Sequence, residues 1–96
     1  MRLSADTATI IRETAAEVFG GAVRLFGSRL DDSARGGDID LYVETDLAEA
    51  EAEERRLRML ARLARRLGDR QIDLVVKTAD GELPIHAIAR NEGVVL

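Results

Sequence analysis

Ile10, Ile11, Ala15, Val18 and Phe19 recur at the interval of a helix with one buried stripe, and mostly polar residues fill the positions between them. Ser4 or Asp6 can cap that helix, which is expected to run to about Phe19 and stop at Gly20-Gly21. The period then shortens. Ala22 to Phe26 reads as a strand, Ser28 to Gly37 as a polar loop, and Asp38 to Glu44 as a second strand with Ile39, Leu41 and Val43 on one face. Helical spacing returns from Asp46 to about Leu67, with Asp46 and Glu49 placed like a capping box and Gly68 as the stop. Leu57, Leu60, Ala61, Ala64 and Leu67 are its expected core stripe. A third strand, Arg70 to Lys77, sets Ile72, Leu74 and Val76 against Asp73 and Val75. Asp80-Gly81 marks a turn, Pro84 opens a short helix to Asn91, and Val94-Val95-Leu96 closes as a strand.

This order predicts an α/β (α+β) fold, a single small domain over residues 1–96 with a mixed β-sheet of three to four strands and helices packed mainly on one face. The first two strands are joined without a helix, which favours an antiparallel pair. The third follows a long helix, which permits a crossover to a parallel neighbour. If it lies beside the second strand, Asp73 shares a face with Asp38 and Asp40.

Composition narrows the classes. Hydrophobic residues are 46% and charged residues 33% of the 96, a globular rather than a disordered balance. The apolar runs are too short to span a bilayer, and Met1 to Ala5 lacks the apolar centre of a signal peptide. With no cysteine there is no disulfide framework, zinc ribbon or thiolate nucleophile, and a cytoplasmic location is expected. A net charge of −4 argues against general nucleic-acid binding. Arg55, Arg56, Arg58, Arg62, Arg65 and Arg66 leave RNA contact open, although a solvated helix face of mixed sign is the plainer reading.

The chemistry concentrates between residues 27 and 44. Asp38 and Asp40 alternate onto one face of a strand, where aspartate is disfavoured and like charges repel. A divalent cation between them removes the conflict, so the pair predicts a metal site. Tyr42 falls on the same face, while His86, the only histidine, is expected to be structural.

The run Gly27-Ser28-Arg29-Leu30-Asp31-Asp32-Ser33-Ala34-Arg35-Gly36-Gly37-Asp38-Ile39-Asp40-Leu41-Tyr42-Val43-Glu44, followed by Asp73 within Gln71-Ile72-Asp73-Leu74-Val75-Val76, resembles the signature of minimal nucleotidyltransferases. These belong to the DNA polymerase β-like nucleotidyltransferase superfamily, whose pattern is Gly-Ser, a spacer, Asp-x-Asp and a third acidic residue on a later strand. The closing segment Ala89 to Leu96 also resembles the usual end of these short chains.

The resemblance implies a nucleotidyltransferase-like fold and transfer of a nucleoside monophosphate, with ATP the expected donor and AMP the expected group. It implies that Asp38, Asp40 and Asp73 are catalytic and hold Mg2+, with two ions when nucleotide is bound. Asp73 would face the acceptor and help deprotonate its hydroxyl. Gly27 would let the backbone approach the triphosphate, Ser28 would donate its N–H and hydroxyl to phosphate oxygens, and Arg29 would contact the β or γ phosphate. Chains this short in the family resemble the antitoxin of HEPN/MNT toxin–antitoxin pairs. The implied partner is a HEPN-domain toxin and the implied acceptor a tyrosine of that toxin. A non-catalytic antitoxin that only binds its toxin, and transfer to a small molecule or an RNA, are the alternatives.

Overall fold

The computed structural model describes residues 3–27 and 38–96. Its elements are α1 (Ala5–Phe19), β1 (Val23–Phe26), β2 (Ile39–Glu44), α2 (Glu49–Leu67), β3 (Ile72–Lys77), α3 (Pro84–Glu92) and β4 (Val94–Val95). The strands form one sheet in the order β3-β2-β1-β4. β1 is antiparallel to β2 and to β4, and β3 is parallel to β2 after the crossover through α2. Every expected helix and strand is present, with ends shifted by up to three residues.

Ser4 caps α1, its hydroxyl accepting from the Thr7 N–H at 3.1 Å, and Gly20 closes the helix in a left-handed conformation at φ 71°. α1 and α2 pack on the face of the sheet formed by Val23, Leu25, Ile39, Leu41, Val43 and Leu74. Ile11, Ala15 and Val18 come from α1, and Met59 and Leu63 from α2. On the opposite face Phe26, Tyr42 and Ala89 form a smaller apolar cluster with Val75 against it. α3 therefore covers the centre of the second face. β2 is paired on both sides and sealed above and below, with Ile39, Leu41, Tyr42 and Val43 all buried.

Two expectations about α2 are corrected. Asp46 does not open it: the N-cap is Ala48, with no side-chain cap of its own. Asp80, from the turn after β3, supplies the missing acceptor by taking the Glu49 N–H at 2.8 Å. The buried stripe is Ala52, Met59 and Leu63, with Leu60 and Leu67 partly buried beside it. Leu57, Ala61 and Ala64 are exposed. The arginines set the rotation. Arg62 and Arg66 reach Glu17 on α1, Arg66 also donates to the Thr14 hydroxyl at 2.8 Å, and Arg55 donates to the Val18 carbonyl at 2.8 Å. Arg66 foremost holds the Glu17 carboxyl below its ordinary pKa.

These contacts make much of the basic run a latch between the two helices. Arg56 pairs with Glu53, and Arg58 with Glu54, on the outer surface. Five of the six arginines thus meet partners within the chain, and Arg65 is exposed to solvent. Met59→Ala is expected to cost about 2–5 kcal/mol, whereas Leu57→Ala is expected to stay within about 0.5 kcal/mol. Urea unfolding of the two variants checks the rotation of α2 directly. No helix among the described residues is long and apolar enough to cross a membrane.

Candidate active site

The site stands at the end of the sheet where β1 finishes and β2 and β3 begin. Register pairs Asp40 with Asp73 across the parallel strands, and Phe26 with Asp40 across the antiparallel ones. Paired residues share a face, so the two carboxylates lie side by side on strands about 4.8 Å apart. The parallel crossover is what brings Asp73 there. A third strand on the far side of β1 would have left it remote.

Gly27 follows Phe26 directly and adopts φ +79°, in the left-handed region. Its α-carbon sits against the Asp40 side chain. A methyl group built there would overlap Asp40 Oδ2 and lie 3.1 Å from Cγ. Glycine is thus required twice, by backbone conformation and by contact. Asp38 is exposed and stands immediately before β2.

Burial raises the Asp40 pKa, and the negative charges of Asp73 and then Asp38 raise it further. The three aspartates therefore occupy one electrostatic neighbourhood in which ionising Asp40 is opposed. A cation would reverse that opposition. An all-carboxylate donor set suits a hard, oxygen-seeking ion such as Mg2+, so the residues fit the expected metal. Among the described residues no three His, Cys, Asp or Glu side chains converge into a ready metal-binding group. What the structure brings together is the Asp40–Asp73 pair with Gly27 beside it; Ser28 and Arg29 lie outside the described residues, as does the 28–37 loop.

Tyr42 shares the aspartates' face but does not line the site. It is buried, and that burial, together with donation from its hydroxyl to Glu44 Oε2 at 2.6 Å, pushes its pKa up to about 12. His86 packs against the Tyr42 ring at 6.0 Å between centroids, and its Nδ1 accepts from the Leu83 N–H at 2.9 Å. Its role at the start of α3 is structural, as expected.

The sequence reading missed the polar lock beside these residues. Arg90 on α3 donates to Glu44 Oε2 at 3.1 Å and also to Glu82, tying the helix to the end of β2 remote from the aspartates. Only the alternation that puts Glu44 on the Tyr42 face could have hinted at it. A cleft of about 430 Å3 also lies at that remote end, between Gly20-Gly21 and Thr45–Leu47. Its wall includes Arg55, already engaged with Val18 and Glu51, and it holds no pair comparable to Asp40 and Asp73.

Comparison with protein-family models, with curated proteins and with solved structures finds no match to the chain.

Proposed function

We propose that this chain is a metal-dependent nucleotidyltransferase that moves AMP from ATP onto a tyrosine hydroxyl of a HEPN-domain toxin and so acts as its antitoxin. The observation that carries the reading is the register of Asp40 with Asp73 beside a glycine held against the Asp40 carboxylate. That arrangement fits the order Gly-Ser, Asp-x-Asp, Asp in the sequence. The acceptor and the antitoxin role rest on the family resemblance.

In the proposed reaction the acceptor oxygen attacks the α-phosphorus, the bond to the β-phosphate oxygen breaks, and pyrophosphate leaves. Asp73, the exposed member of the pair, takes the acceptor's proton at a carboxylate oxygen. Asp40, half-buried between Phe26 and Asp73, would hold the cation beside the triphosphate. Gly27 leaves the backbone open to the triphosphate, and Ser28 and Arg29 would donate to its oxygens. Mg2+ held by Asp38, Asp40 and Asp73 would supply neutralisation of the charge that develops on the transferring and leaving oxygens.

The purified chain, incubated with labelled ATP, Mg2+ and the HEPN-domain protein, is expected to label that protein. Asp73→Asn is expected to lower the rate by about a hundredfold while leaving the fold intact. Two folded proteins and no label under any nucleotide or metal condition would overturn the enzymatic reading. The rival reading is neutralisation by binding alone. Asp38→Asn combined with Asp40→Asn separates the two, because a binding-only antitoxin would still protect cells.

A further inference from the structure

Two exposed isoleucines on α3 stand out because of where they point. Ile85 is 39% and Ile88 48% exposed, although both belong to a helix that seals one face of the sheet. His86 and Ala89 are its buried positions, and Arg90 reaches toward Glu44 at the far end of β2. With 3.6 residues per turn, Ile85, Ile88 and Glu92 fall on the flank opposite Arg90. Because Arg90 is directed at Glu44 and Ala89 packs with Phe26, the register partner of Asp40, the opposite flank is turned toward the end of the sheet that carries Asp40 and Asp73. Val75, the residue after Asp73's neighbour Leu74, packs against Phe26, Tyr42 and Ala89 just beneath the helix.

We infer that this flank of α3 is the docking surface for the acceptor protein, which engages it with an apolar segment bordered by lysine or arginine side chains. The inference rests on the nucleotidyl-transfer reading and adds to it the surface that selects the acceptor. The charge around the flank decides the chemistry of the occupant. Glu92 lies at one end of it, and Asp40 and Asp73 share the sheet face that α3 covers, with Asp38 in their electrostatic neighbourhood, while Arg90 is directed away and engaged by Glu44 and Glu82. An apolar centre with an acidic border is complementary to an apolar centre with a basic one.

Two other occupants fit less well. A nucleobase is best held by an aromatic plane, and the aromatic side chains on this face, Phe26 and Tyr42, are both buried. A second copy of the chain would bring one acidic border against another across a two-fold axis.

The test uses the full chain with Ile85→Glu and Ile88→Glu, singly and together, and Leu57→Glu as a control. Leu57 is more exposed, at 55%, but lies on α2, across the sheet. Binding of the HEPN-domain protein is measured by titration calorimetry, Mg-ATP binding separately, and folding by circular dichroism and melting. The expected result is that the double substitution weakens partner binding at least about tenfold, with melting, Mg-ATP binding and the Leu57→Glu control unchanged.

Unchanged partner binding overturns the inference. So does a parallel loss of Mg-ATP binding, which would make the flank a nucleotide wall, or a wild-type dimer that the substitutions dissociate. If a substitution lowers melting, Ile88→Gln, with no added charge, replaces it in the same measurements, and its unchanged binding overturns the inference equally. Because binding is read without catalysis, a wild-type chain that binds but never labels its partner would sink the transfer reading and leave the docking surface standing.

Discussion

Asp40→Asn is expected to lower nucleotidyl transfer by at least about a hundredfold and, without metal, to make the protein more resistant to heat. The two effects share one cause. Asp40 is held between strands where burial and two neighbouring carboxylates oppose its charge, so its pKa is raised. A carboxyl whose folded pKa exceeds its unfolded value costs stability when ionised, and the cost vanishes as falling pH protonates it. The variant's advantage in melting temperature is therefore widest at neutral pH. It closes as the pH falls through the raised pKa of Asp40 toward its ordinary value of 3.8. Adding Mg2+ is expected to reverse the ranking by raising the melting temperature of the wild type alone. A variant less stable than wild type in chelator at neutral pH would show that the Asp40 charge is not opposed.

Gly27→Ala should be nearly as damaging, for a steric reason. Left-handed backbone costs an alanine about 1–2 kcal/mol, and the new methyl group overlaps the Asp40 carboxylate. The side chain of Asp40 has to move, and a displacement of about 1 Å at a reacting centre can cost about a hundredfold in rate. Gly20 provides the comparison. It has φ +71° in the left-handed conformation, but nothing lies within 4 Å of a methyl group there. Gly20→Ala is therefore expected to carry the backbone cost alone, and transfer assays with urea unfolding of both variants separate contact from conformation.

Much of the architecture was legible because local and tertiary demands agree. Ser4, Gly20, Gly68 and Pro84 punctuate the helices where the sequence places them. The alternation in β2 and β3 put Asp40 and Asp73 on a common face, and the helical connection between the strands made the parallel pairing available. The rotation of α2 was not legible. Leu57, Ala61 and Ala64 follow helical spacing as well as Ala52, Met59 and Leu63 do, and periodicity alone does not choose between such stripes. Long-range pairing of Arg62 and Arg66 with Glu17 settles it, and that contact has no local signature. The same holds for the start of α2. Its acceptor is Asp80, distant in sequence, so Asp46 offered a local cap that the fold does not use.

The sealing of β2 has a consequence for how such a protein can change over generations. A strand buried on both faces and paired along both edges tolerates almost no alteration, so Asp40 is inherited within a frozen setting. Ile85, Ile88 and Glu92, by contrast, stand in solvent on a helix whose anchoring depends on other residues. If the docking surface proposed above is right, descendants of this chain could exchange one target for another by altering the outside of α3, while Asp40 and its surroundings pass unedited from one specificity to the next.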